Sequence, residues 1–183
     1  MEDIKKIEIF ARKCYDDANC KYGGENYYKH IGMVIDTLFK NTTIFKNIND
    51  ATATWGAAHC HDLIEDAKIT YGDIMKTCGK DVADITLGVT DVPAENRLMR
   101  HLLTMGKTVK DYRAIILKLC DMHANASYSK SSGSSMYEKY VEEYEYRRPI
   151  FKKALTWYKN DVNEVPLEKL WKELDELHNY KIN

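Results

Sequence analysis

The sequence predicts an all-α fold, and three observations support that prediction. Only three prolines and nine glycines interrupt the 183 residues. Most apolar residues recur at intervals of three and four, which is the spacing of one helix face. Three Ser/Thr-x-x-Asp/Glu patterns, typical of helix N-termini, begin at Thr70, Thr108 and Ser135. These patterns leave little room for strands.

The first helices are predicted by their apolar stripes. We expect them at about residues 3–18 and 27–39, with a loop containing Gly23-Gly24 between them. The stripes consist of Ile4, Ile7, Phe10, Ala11 and Cys14 in the first helix and of Ile31, Val34, Ile35 and Leu38 in the second. A third helix is expected to carry His59 to Asp66.

Capping residues, glycines and prolines place the later helices. We expect these at about residues 71–78, 94–105 and 111–125, from 136 onward and from 166 onward. The serine-rich residues 127–135 are expected to form a loop. Pro149 is expected to kink or break the helix that follows this loop.

Length and composition indicate one domain. With 44% hydrophobic residues the chain has enough apolar side chains for one core; we assign residues 1–160 to the main domain and 161–183 to a C-terminal helix packed on it. The net charge of −1 favours neither nucleic acid nor a membrane surface as a partner. Five cysteines without CxxC spacing indicate reduced thiols, and the first residues lack the apolar run of a signal peptide. A cytoplasmic protein is expected.

One stretch of the third predicted helix combines metal-type ligands with further carboxylates. It reads His59-Cys60-His61-Asp62-Leu63-Ile64-Glu65-Asp66. Helical residues three and four apart share a face, so Glu65 is expected near His61 and Asp62, and Asp66 near Asp62. Buried charges need a partner or a metal to offset their desolvation. The stretch therefore predicts part of a metal site, whereas His59, on nearly the opposite face, is expected to pack through a hydrogen bond.

Two further candidate ligands lie elsewhere in the chain. His30 opens the second predicted helix directly after the glycine-containing loop, and Asp121 lies in the helix predicted over 111–125. With His61 and Asp62 they provide two imidazoles and two carboxylates. Mixed nitrogen and oxygen ligands suit Mn, Fe, Co or Zn better than Mg.

Four blocks within residues 4–155 carry a family resemblance. In chain order they are Tyr27-Tyr28-Lys29-His30, Ala57 through Asp66, Val89-Thr90-Asp91 followed by Glu95-Asn96-Arg97, and Lys118 through Asn125. In these blocks the chain resembles the HD-domain phosphohydrolases, and among them the hydrolase domain of the RelA/SpoT-type alarmone enzymes, including the small stand-alone alarmone hydrolases. His-Asp alone is a weak motif, but the set of blocks is specific.

The resemblance implies a single-domain HD-type helical bundle that removes pyrophosphate from the 3′ position of guanosine tetra- or pentaphosphate. It implies one divalent metal, manganese in particular, held by His30, His61, Asp62 and Asp121. It also implies that Glu65 and Asp66 orient and deprotonate the attacking water, with the choice of base left open. The implied substrate contacts are Lys118, Asn125, Arg97, Lys21 and Tyr144.

The chain departs from the family pattern in the loop before His30. Residues 21–27 lack the family's adjacent basic pair and its proline, and Leu98 replaces a lysine that follows the family's Glu-Arg pair. The nucleotide is therefore open: an alarmone leads, and NADPH or another signalling nucleotide is the alternative. A non-catalytic nucleotide-binding module is the alternative of another class. The expected partner is a small-molecule nucleotide, and a homo-oligomer is allowed.

Overall fold

Helices account for most of residues 2–181, which the computed structural model describes. Their bounds are α1 Glu2–Asp17, α2 Tyr28–Lys40, α3 Ile48–Cys60, α4 Tyr71–Cys78, α5 Lys80–Val89, α6 Arg97–Thr108, α7 Tyr112–Ser132, α8 Met136–Leu155 and α9 Glu164–Leu177. The all-α prediction is thus confirmed. None of the described helices is both long and apolar enough to cross a membrane.

The core is built around α7. Ile115, Ile116, Leu119 and Cys120 are fully buried on it, and α2, α3, α5 and α8 all pack against it. A helix that is apolar on most of its faces is stable only when other helices enclose it. Each buried Leu or Ile contributes about 1.5–3 kcal/mol relative to exposure. The buried side chains fix α7 in place, and with it the position of Asp121, which lies on the same helix.

The C-terminal helix shares this core. Leu170, Trp171 and Leu174 of α9 are buried with the side chains of α7, and Arg148 of α8 pairs with Asp175 of α9. The helix also packs on a one-turn 3₁₀ helix at Thr42–Ile44.

The loop predicted around Gly23-Gly24 is instead a β-hairpin. Strand β1 (Lys21–Tyr22) pairs antiparallel with β2 (Glu25–Asn26). Gly23 and Gly24 have φ values of 58° and 84°, which is the double positive φ of a tight two-residue hairpin turn. The prediction of a loop is corrected at this point.

The structure corrects the predicted serine loop and excludes the break that was one of the two outcomes expected at Pro149. Helix α7 runs through the predicted serine loop to Ser132 and ends at Gly133, with φ of 66°. Ala126 and Ser129 are buried, so packing overrides the weak helix propensity of serine. Pro149 does not break α8, because the residues after it, including Phe151 and Leu155, stay helical and pack in the core.

Candidate metal centre

Four side chains that the sequence predicts as ligands converge between α2, the end of α3 and α7. The His30 Nε2 lies 3.1 Å from the His61 Nε2, 3.4 Å from an Asp62 oxygen and 3.3 Å from an Asp121 oxygen. The His61 Nε2 lies 3.0 Å from Asp62 and 3.8 Å from Asp121. Donor atoms around one tetrahedral ion with bonds of about 2.1 Å are about 3.4 Å apart. The ligand atoms of His30, His61 and Asp62 all lie within 4.8 Å of one another, which is close enough to share one ion, and Asp121 lies beside the two imidazoles.

The motif does not continue the helix as predicted. Helix α3 ends at Cys60, and residues 61–66 form consecutive turns. The His61 Nδ1 is 2.9 Å from the carbonyl oxygen of Ala58, which thereby gains a side-chain partner where the helix ends. The Asp66 N–H still donates to the Asp62 carbonyl at 2.9 Å. Asp66 therefore stays one turn beyond Asp62, as the spacing predicted.

The Ala58 carbonyl orients the His61 ring. It accepts from Nδ1, which leaves Nε2 as the ring nitrogen that faces Asp62 and His30. A histidine that donates its second ring nitrogen to a carbonyl is the usual form of a metal ligand. The His30 ring is held differently, by stacking on Tyr22 with centroids 4.7 Å apart.

The charges of the cluster attract positive charge. Burial acts to lower the pKa of His30, but hydrogen bonds with Asp121 and Asp62 outweigh it and raise that pKa to about 9. Burial acts to raise the pKa of Asp62, yet the His61 and His30 imidazoles hold that pKa well below its ordinary value. Two nearly buried carboxylates thus draw protons onto two imidazoles. A divalent cation would supply the same positive charge.

Asp121 has its own supporting partners on α7. Lys118 Nζ lies 3.0 Å from one carboxylate oxygen, and Asn125 Nδ2 donates to the other at 2.6 Å. The Asn125 carbonyl oxygen in turn accepts from the Tyr22 hydroxyl at 2.9 Å. The Lys118 side chain is 15% exposed. Lys118 and Asn125, predicted as substrate contacts, both hold Asp121 in this structure.

Glu65 and Asp66 lie beside the cluster in different settings. Glu65 accepts from the Asp91 N–H at 2.7 Å, which ties it to the Val-Thr-Asp block. Burial raises the pKa of Glu65 to about 7, although Lys118 opposes the shift. Asp66 is exposed and shares the Tyr27 hydroxyl with Asp62. Burial raises the pKa of both carboxyls, and that of Glu65 lies near neutral pH.

Other residues named from the sequence lie farther from the cluster. Arg97 forms an ion pair with Glu143, and Tyr144 is fully buried, donating to Asp175 at 2.7 Å. The structure thus places Tyr144 in the core between α8 and α9. Lys21 is exposed on β1. His59 is hydrogen-bonded to the Tyr28 hydroxyl at 2.8 Å, as the packing interpretation expected.

Sequence reasoning missed two tyrosines that act on the cluster. Tyr27 donates to Asp62 at 2.7 Å and also contacts Asp66. Tyr22 links the hairpin to His30 by stacking and to Asn125 by its hydroxyl. Tyr27 opens the Tyr-x-x-His block, so a signal for it was present. Tyr22 had none, because its role depends on the hairpin.

Replacing Tyr27 by Phe is expected to weaken Mn²⁺ binding about tenfold with little change of fold. The hydroxyl orients a ligand carboxylate, and loss of such a partner typically costs 10–100-fold in metal affinity. Tyr28→Phe is the matched control, because its hydroxyl serves His59 and no ligand candidate. Titration calorimetry with Mn²⁺ measures both; equal affinity in the Tyr27 variant and the wild type would contradict the assignment.

Gly23 and Gly24 provide a test of the hairpin. Both have positive φ, so alanine at either position is expected to cost about 1 kcal/mol. A Cβ at Gly23 would lie 1.9 Å from the Tyr128 hydroxyl, whereas among the described residues nothing lies within 4 Å of one at Gly24. Urea unfolding should therefore show a larger loss for Gly23→Ala, about 2 kcal/mol or more. Equal losses would argue against the contact with Tyr128.

Comparison with known proteins agrees with the motifs. No family model matches the chain. It is 30% identical, over 185 aligned positions, to the bifunctional (p)ppGpp synthase/hydrolase SpoT of Escherichia coli K12 and to a guanosine-3′,5′-bis(diphosphate) 3′-pyrophosphohydrolase of Shigella flexneri. Each alignment covers 95% of this chain and 23% of the relative. The chain thus spans about a quarter of the length of these curated relatives.

A solved structure has the same fold. It is described as a metazoan ortholog of SpoT that hydrolyses ppGpp and plays a role in starvation responses. The TM-score is 0.71 at 19% identity, and the match covers 99% of this chain and 98% of the other. The predicted helical-bundle fold is therefore confirmed over nearly the whole chain.

Proposed function

We propose that this chain, an HD-domain protein of the RelA/SpoT type, hydrolyses the 3′-pyrophosphate of a guanosine bis(diphosphate) with the help of one divalent metal. The observation that carries the proposal is the convergence of two imidazoles and two carboxylates, with a carboxyl of raised pKa beside them. The relatives whose names state this reaction support the choice of substrate.

The donor set fits a divalent ion of intermediate hardness. His30 and His61 offer nitrogen, and Asp62 and Asp121 offer oxygen, which suits Mn²⁺, our proposed metal. The hydrogen bond to Ala58 prepares His61 as a ligand before any ion arrives. A bound divalent ion lowers the pKa of water from about 15.7 toward about 7 and polarises a phosphoryl oxygen.

Glu65 is our proposed general base. Its carboxylate accepts a proton from the attacking water, and the Asp91 N–H holds it in position for that step. Water attacks the phosphorus attached to the 3′ sugar oxygen; the bond between them breaks, pyrophosphate leaves, and the sugar oxygen takes up a proton. The Tyr27 hydroxyl contacts the carboxylates of Asp62 and Asp66 and holds both in position for this reaction.

Binding of the nucleotide involves the basic and aromatic residues around the cluster. Lys118 adds a nearly buried positive charge next to Asp121 and close to Glu65, where phosphate oxygens would approach. Asn125 and the exposed Lys21 lie on the side of the hairpin. Arg97 contributes only if its pair with Glu143 opens.

Pyrophosphate release from guanosine tetraphosphate in the presence of Mn²⁺ tests the proposal. NADPH and common nucleotides are assayed beside it. Asp62→Ala should lose the activity, whereas Asp36→Asn, an exposed carboxylate on the same helix as His30, should keep it. Release of phosphate from NADPH alone, measured in a parallel phosphate assay, would replace the substrate and keep the metal chemistry. Tight nucleotide binding without any product would indicate a binding module instead.

A further inference from the structure

Two cysteines bracket the segment that carries the metal motif. Cys60 is the last residue of α3 and Cys78 is the last residue of α4, and their Sγ atoms are 4.0 Å apart. Between them the chain contains His61, Asp62 and Glu65. Neither thiol takes part in the proposed hydrolysis.

We propose that Cys60 and Cys78 form a redox-modification site, at which a hydroperoxide converts the two thiols into a disulfide and thereby weakens metal binding. The formation of the disulfide stands by itself. Its effect on the metal rests on the ligands assigned under the proposed function.

The two thiols differ in access, which sets the order of the steps. Cys78 is partly exposed and Cys60 is fully buried. The Cys78 thiolate therefore attacks the hydroperoxide, becoming a sulfenic acid while the peroxide is reduced to an alcohol. The Cys60 sulfur then displaces the hydroxyl, so that the S–S bond forms and water leaves. In total, two thiols and one hydroperoxide give one disulfide, one alcohol and one water.

The hydrogen bond between the thiols favours this order. It lowers the pKa of Cys78, which increases the fraction of its reactive thiolate. Cys14 of α1 lies close enough for Cys78 to contribute to its raised pKa. It is the competing thiol that an experiment must separate from the pair.

A disulfide would disturb the cluster through the chain. The sulfurs must approach from 4.0 Å to about 2.05 Å, and Cys60 is joined by one peptide bond to His61. The orientation of His61 depends on its bond to Ala58, two residues before Cys60. Metal sites tolerate ligand displacements of only about 0.2 Å. Any part of this approach taken up by the Cys60 backbone is passed to His61, and a shift of more than about 0.2 Å would take that ligand outside normal metal–ligand distances.

The test treats fully reduced protein with hydrogen peroxide and measures three quantities. Free thiols under denaturing conditions should fall from five to three, intact mass should fall by about 2 Da, and peptide mapping should link residues 60 and 78. The Mn²⁺ dissociation constant should rise about tenfold and return after treatment with a thiol reductant. Cys14→Ser should behave as the wild type, and Cys78→Ser should show no loss of mass.

Any other outcome would contradict one specific part of the proposal. Loss of about 2 Da in Cys78→Ser would overturn the pairing, as would five free thiols in the treated wild type. An unchanged Mn²⁺ affinity in the bridged protein would overturn the effect on the metal. Reduced wild type that binds no Mn²⁺ would count against the proposed function, while the thiol count and mapped bridge would still decide the modification site.

Discussion

Replacing Asp121 by Ala is expected to abolish Mn²⁺ retention and to destabilise the metal-free protein by about 3–5 kcal/mol. The carboxylate approaches both imidazoles of the cluster, so its loss removes one proposed ligand. It also leaves the Lys118 ammonium, 15% exposed and 3.0 Å away, without its nearest partner. Metal analysis after gel filtration and urea unfolding measure the two effects.

A double variant separates the two effects. Lys118→Met with Asp121→Leu removes both charges of the pair and keeps similar volume, so much of the lost stability should return. Metal retention should not return, because the proposed ligand is still missing. Mn²⁺ content equal to wild type in Asp121→Ala would contradict the assignment of this ligand. Unchanged stability in that variant would contradict the role of Lys118 as its buried partner.

Part of the cluster could be predicted from the sequence because part of its signal is local chemistry. His61 and Asp62 stand beside two acids at helical offsets, and Asp121 lies in a specific block. The structure brings them together with His30, although α2, α3 and α7 must meet for this. Such a meeting depends on packing between distant segments. The spacing of residues along the chain does not predict that these three helices meet.

Two of the three misjudged features depend on contacts across the fold. Residues 127–132 are helical because α7 is enclosed by other helices, which serine propensity does not reveal. The end of α3 at Cys60 coincides with a side-chain bond from His61 to Ala58. The function of Tyr22 requires both the hairpin and its approach to Asn125. Tertiary structure therefore decides the length of α7 and the role of Tyr22, whereas the end of α3 involves a contact between neighbouring residues.

Glu65→Gln is expected to lower kcat by about 10²–10⁴ while Mn²⁺ is retained, because Gln cannot accept the proton from water. Its amide oxygen still accepts from the Asp91 N–H, so the local structure should persist. The exposed Glu145→Gln on α8 is the matched control and should keep full activity. If Asp66→Asn loses activity and Glu65→Gln does not, Asp66 is the base.

The same variant should raise the stability of the metal-free protein at alkaline pH. Burial raises the pKa of Glu65 from 4.5 to about 7, so between these values the unfolded chain releases its proton while the folded chain keeps it. Stability from this group therefore falls as pH rises from 4.5 to 7 and stays low above that. Gln does not ionise, so Glu65→Gln does not lose this stability. The difference in unfolding free energy between the variant and the wild type should therefore grow from pH 4.5 to 7 and reach about 3 kcal/mol at pH 8.

The two effects of Glu65 have one physical origin. A carboxyl held in a partly buried place, where ionisation is costly, is a weak stabiliser and a base of suitable strength. Wild-type kcat/KM should accordingly rise with pH along a limb at or below pH 7, because a bound divalent cation lowers the pKa of Glu65, and this limb should be missing from the residual activity of Glu65→Gln. Urea unfolding from pH 5 to 8 and a pH–rate profile measure both. If Glu65→Gln loses activity but is no more stable than the wild type at pH 8, the raised pKa does not belong to Glu65.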